Sequence, residues 1–150
     1  MSNSKRHQKG IPKGAAERPN LLAGKANLVQ TIPDGLVTFN FKFLDSEQGQ
    51  SVLDWEKEGL LSRAFQVFKD YSSQKISEAF SRRFKCYQQG FPPTGKTEFT
   101  HPKHVPDDAL WASMHLDGKP CVIGHVYQNV FYVVFLDKDH RFYISDLSHT

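Results

Sequence analysis

Between Val37 and Phe43 the chain alternates strictly, with Val37, Phe39, Phe41 and Phe43 set against Thr38, Asn40 and Lys42. A period of two places the apolar side chains on one face of an extended segment, so residues 37–43 predict a half-buried strand opened by the turn Pro33-Asp34-Gly35. The spacing then changes to three and four: Trp55, Leu61, Ala64, Phe65, Phe68 and Tyr71 fall on one helical face. Ser51 followed by Asp54 forms an N-cap with an acidic first turn, and Gly59 weakens the middle of this helix at the point where it would split. Ser72-Ser73 breaks the run and caps a second helix, on which Ile76, Ala79 and Phe80 share a face. Arg82, Arg83 and Lys85 at its end suit the negative pole of the helix dipole. Residues 88–108 hold Pro92, Pro93, Pro102 and Pro106 with Gly90 and Gly95, and predict a loop of a length that is often functional.

Alternation returns at residue 110, where Leu110, Ala112, Met114 and Leu116 interleave with Trp111, Ser113 and His115. Asp117-Gly118 is a two-residue hairpin signal, because glycine tolerates the positive φ of a tight turn. Residues 121–127 return as a strand, and Gln128-Asn129 turns into residues 130–136, which are apolar on both faces and therefore central. A turn near Lys138-Asp139 leads into a last strand over 141–145. The whole predicts an α+β domain over residues 36–150, with an antiparallel sheet of about five strands in the order β-α-α-β-β-β-β and two helices packed on one face.

Charge divides the chain differently. Residues 1–35 carry six basic against two acidic residues, whereas the remainder carries 13 against 14. The first segment therefore reads as a flexible basic tail that buries too little to order itself, suited to solubilising the chain or to docking on RNA or a cognate protein. A nucleic-acid surface on the folded part has to come from local clustering. No apolar run approaches the roughly 20 residues that span a bilayer. With no export signal and only two cysteines, Cys86 and Cys121, the chain reads as a reduced cytoplasmic protein without a membrane partner.

Four groups of residues carry candidate chemistry. Lys138, His140, Arg141 and Tyr143 lie together at the last turn, with Arg141 and Tyr143 on one strand face; they suit gripping a phosphate and stacking a base, or keeping a sheet edge charged. His125 shares a strand face with Tyr127, either as an acid or base on a polar sheet face or as a structural histidine. In the loop, His101 and His104 lack the two further ligands that a structural zinc site wants, so Lys103 and His104 are read as phosphate contacts. Arg82, Arg83 and Lys85 extend such a surface or simply cap a helix. Glycine-rich phosphate loops, paired catalytic carboxylates and a nucleophile elbow are absent, and neither metal nor cofactor is expected.

The order of elements and the closing stretch resemble the RelE/ParE toxin superfamily. The similar part is Val122-Ile123-Gly124-His125-Val126-Tyr127, then residues 131–136, then His140-Arg141-Phe142-Tyr143, about 30 residues in all. The resemblance implies a metal-independent endoribonuclease that cleaves mRNA, usually on the ribosome, within a toxin–antitoxin or defence system. A base would deprotonate the ribose 2′-hydroxyl while cations stabilise the developing charge. On this chain it implies His125 or His140 as base or acid, Arg141 and Lys138 as phosphate stabilisers, and Tyr143 as a stacking group. The competing expectation is a non-catalytic module that binds protein or nucleic acid in a complex of that kind. A third is an assembly subunit whose isolated chain would expose Trp55 or Trp111.

Overall fold

The computed structural model describes residues 34–145, so the basic segment lies almost wholly outside the described residues. Over the described residues the fold is α+β, a five-stranded mixed and mostly antiparallel sheet with three helices. In chain order the elements are β1 (Thr38–Asn40), α1 (Val52–Lys57), α2 (Leu60–Ser72), α3 (Ile76–Arg82), β2 (Lys85–Cys86), β3 (Leu110–His115), β4 (Cys121–Tyr127) and β5 (Val130–Asp137). In space the strands run β1-β5-β4-β3-β2. No helix among the described residues is long and apolar enough to cross a membrane.

The helical face follows the expected periodicity closely. Trp55, Ala64, Phe68, Tyr71, Ile76 and Ala79 are buried against Ala112, Met114, Val122, Val126 and Phe131 of the sheet. Phe65 departs from this face: it is 61 % exposed, and Leu60 is buried instead. Ser51 caps α1 as its sequence predicts, accepting the Asp54 N–H at 3.0 Å while Asp54 accepts the Ser51 N–H at 3.4 Å. Ser51→Ala removes one acceptor from an exposed helix start and should lower stability by about 1 kcal/mol in urea denaturation, whereas no shift in midpoint would refute the cap. Gly59, with φ of 72°, splits the long helix at the expected point. Ser73 closes α2 instead of opening α3, whose N-cap is Lys75.

Three expectations about the sheet are corrected. The first strand stops at Asn40, because the Asn40 side chain accepts the Lys42 N–H at 2.9 Å and Phe41 O accepts the Leu44 N–H at 3.0 Å, turning the chain. That short strand pairs with β5 in parallel, Phe39 opposite Phe131, so the sheet is not purely antiparallel. Since β1 takes the outer edge of β5, no free edge is left there for a meander strand over 141–145, and that segment is not a strand. The fifth strand is β2 instead, on the opposite edge, with Lys85 opposite Ser113 and Cys86 opposite Ala112. Lys85 thus belongs to a strand and not to the end of a helix.

Among the described residues no helix covers the second face of the sheet. Residues 88–108 and the segment after β5 cover it, burying Phe99, Val105 and Phe142 against Trp111, Ile123 and Phe135. Their backbones pair locally, Glu98 N–H donating to Arg141 O at 3.1 Å and Ile144 N–H to Lys96 O at 2.7 Å. Trp55 and Trp111 are both fully buried, so neither is an exposed apolar face. Cys86 and Cys121 are free thiols.

Candidate nucleic-acid interface

Strand alternation sends His125 to the loop-covered face, opposite Trp111 on β3 and Tyr132 on β5. This face is largely aromatic, which matches the alternative of a structural histidine more closely than that of an acid or base on a polar face. His125 is 2 % exposed, and its ring stacks on Tyr132 with centroids 4.8 Å apart. Tyr127 does share its cavity, together with Phe43 and Lys42.

The hairpin residues take separate tasks. After β5 the buried Asp137 carboxylate accepts the N–H groups of Arg141 at 2.9 Å and Phe142 at 2.8 Å, and His140 adopts the left-handed conformation (φ 59°) that lets the chain double back. Lys138 is ion-paired with Glu58 at 2.8 Å, and Arg141 with Glu98. The His140 ring lies 5.1 Å from that of His115, whose pKa is held below the ordinary imidazole value by partial burial first and then by the charge of His140. The cleft beside Arg141 is lined by Glu47, Glu98, Asp137 and Asp139, a carboxylate-rich wall that repels a phosphate. His125, Arg141 and Tyr143 line three different clefts.

The remaining basic candidates are also dispersed. Arg83 lies over the Tyr71 ring at 4.8 Å. His104 Nε2 is 2.8 Å from Phe43 O, His101 Nδ1 is 2.9 Å from Pro102 O, and Lys103 is exposed on the same loop. Arg82 ends α3. Among the described residues no group of three or more His, Cys, Asp and Glu side chains has an arrangement that could hold a metal ion.

Two of the expected residues do meet. Tyr143, carried back over the sheet by the Asp137 turn, stacks on Tyr87 with centroids 5.6 Å apart and planes 19° from parallel. Lys85, two residues before Tyr87 and so on the same side of β2 as it leaves the strand, holds its ammonium 5.8 Å from the Tyr87 ring and 5.7 Å from that of Tyr143. These groups open on a cleft of about 420 Å³ whose walls also include Gln89, Phe91 and Lys96. Among the described residues lining it, Lys85 and Lys96 carry charge and none is a carboxylate.

Two ionisable groups of the cleft, Cys86 and Tyr87, are shifted towards their neutral forms. Burial pushes the Cys86 thiol up to about 12. Burial also takes the Tyr87 phenol to about 12, against the lowering effect of its hydrogen bond with Ser113 at 3.2 Å. Both groups are neutral at physiological pH, so neither is a thiolate nucleophile or a phenolate base there. Cys121, on β4, is raised further by burial and by the Asp137 charge.

Sequence reasoning singled out Lys85 and Tyr143 separately and missed Tyr87 and Lys96. The available signal was Lys85-Cys86-Tyr87, a cation and a ring two residues apart just after a helix. Only the return of the chain at Asp137 shows what completes it. No protein-family model matches the chain, and no match to it was found among curated proteins or solved structures.

Proposed function

We propose that this protein is a non-catalytic module that binds single-stranded nucleic acid, with RNA as its ligand and the Tyr87–Tyr143 cleft as its contact. The observation that carries the reading is one cation set over two stacked rings beside a cleft whose described lining residues include no carboxylate. Single strands offer unstacked bases to aromatic platforms and phosphates to nearby cations. Lys85 and Lys96 meet the phosphates, Tyr143 supplies the stacking face, and the Gln89 amide offers both a donor and an acceptor to a base edge. A duplex hides its bases and gains only the electrostatic part of this.

A cleaving reading needs a base and phosphate-stabilising cations around one scissile phosphate. His125, Arg141 and Tyr143 line different clefts, and the guanidinium of Arg141 is engaged by Glu98, which favours binding over cleavage.

The test is fluorescence anisotropy of the full chain with a labelled single strand and the matching duplex, over a range of salt. The single strand should bind more tightly, and Tyr143→Ala should weaken it roughly tenfold or more while sparing the duplex. Lys85→Ala should lower the salt slope for the single strand by roughly 0.7. Tyr143→Phe should bind like the wild type. Equal binding by wild type and Tyr143→Ala would place the RNA elsewhere and sink the proposal, and cleavage of the strand during the titration would restore the nuclease.

A further inference from the structure

A second cavity lies on the loop-covered face, distinct from the Tyr87 cleft. Its volume is about 210 Å³, and Lys42, Phe43, Pro106, His125, Tyr127 and Tyr132 line it. Phe43 is its hub, with its ring centroid 5.3 Å from those of both His125 and Tyr132. The ring reaches this position because the chain turns at residues 42–43, carrying Phe43 away from the helical face that holds Phe39.

The ammonium of Lys42 lies 4.7 Å from the centre of the Phe43 ring and 5.7 Å from that of Tyr132. Among the described residues no carboxylate is ion-paired with it. One cation therefore faces the electron-rich faces of two rings, and no carboxylate is among the described residues lining the cavity. Lys42 is also exposed and sits on an open turn, so its four-carbon stem can swing into solvent without disturbing the sheet.

We propose that this cavity is a binding site for a quaternary ammonium group, with the Lys42 ammonium as its internal competitor in the free protein. A primary ammonium is strongly hydrated and gives up much solvation to sit against rings. A tetraalkylated nitrogen has no N–H groups to leave unpaired, and its methyl groups bury against Phe43, Tyr132 and Pro106 while the charge meets the same ring faces. The displaced Lys42 regains its water. Choline-like small molecules and the side chain of trimethyllysine share this headgroup.

The experiment is an NMR titration of the full chain with choline, with a peptide carrying trimethyllysine, and with the uncharged carbon isostere of choline. The cations should shift resonances of Phe43 and Tyr132, and the isostere should bind at least roughly tenfold more weakly, because it lacks the charge–ring attraction. Lys42→Ala should tighten cation binding by roughly three- to tenfold, since it removes the competitor. Tyr132→Phe, which keeps the ring, should leave the affinity close to that of wild type, and Tyr132→Leu should reduce it roughly tenfold. Tighter binding of the peptide than of choline assigns the headgroup to a modified protein, and equal binding to a free cation. The proposal is overturned if the isostere binds as well as choline, or if neither wild type nor Lys42→Ala binds either cation. Because Lys42→Ala and Tyr132→Phe leave the packed rings in place, a folding defect in Tyr132→Leu does not blunt the test.

Discussion

Gly124→Ala should cost more than about 3 kcal/mol and leave little folded protein. Gly124 sits in the middle of β4, between Ala112 on β3 and Val133 on β5, beside the register shift at Ile123/Gly124. A Cβ there would overlap the Tyr132 carbonyl oxygen of the adjacent strand and stand 2.9 Å from its carbonyl carbon and 2.5 Å from Cε1 of Phe131. The obstacle is backbone held by a ladder on both sides, and Phe131 is fully buried, so neither can give way cheaply. Gly118→Ala provides the contrast. Its φ of 87° strains an alanine, but the nearest atom to its Cβ is Pro120 Cδ at 4.0 Å, so about 1 kcal/mol is expected. Denaturant titrations of the two variants beside wild type would decide the matter. A Gly124→Ala midpoint no lower than that of Gly118→Ala would mean that β4 and β5 do not pair in this register.

Asp137→Ala should cost about 3 kcal/mol and, in addition, dismantle the Tyr87 cleft. The carboxylate is 1 % exposed and accepts the backbone N–H groups of Arg141 and Phe142, charge-assisted bonds that hold the segment after β5 against the sheet. Alanine leaves these donors without their acceptor, and the segment bearing Phe142 and Tyr143 loses its anchor. Asp137→Asn keeps an acceptor oxygen without the charge and should fall between wild type and alanine. Asp139→Ala, at an exposed neighbouring position, should be close to neutral. Hydrogen exchange at the Arg141 and Phe142 amides reads the local effect directly. Unchanged protection at Phe142 in a folded Asp137→Ala protein would show that the turn is held by packing alone. If protection is lost while the sheet persists, RNA binding should be lost with it, because Tyr143 no longer meets Tyr87.

Much of the local structure was legible in the residues. The three-and-four spacing marked the helical face from Trp55 to Tyr71, Ser51 and Asp54 marked a helix start, and Gly59 marked its division. Alternation and turn residues found β3, β4 and β5 in order, joined as an antiparallel meander. Each of these signals is local: it reports which side of one segment avoids water, or which residue tolerates a particular φ.

What the sequence could not reveal was competition for strand edges. Periodicity does not say which strand claims the outer edge of β5. Parallel pairing by β1 excluded the expected strand over 141–145 and left that chain to fold over the second face. The same limit explains the site. His125 alternates correctly, yet whether its face is wet depends on a loop and a C-terminal segment far from it in sequence. Arg141 looked like a phosphate ligand until Glu98 and the surrounding carboxylates were set beside it. Lys85 and Tyr143 were separate residue types in separate segments, and the buried Asp137 turn is what brings them over one another. Sequence alone determined the helical run, its division and the three meander strands, with most of their buried sides. Only tertiary structure decided which elements pair and which side chains meet, because those outcomes depend on non-local hydrogen-bonding edges and on burial by distant segments.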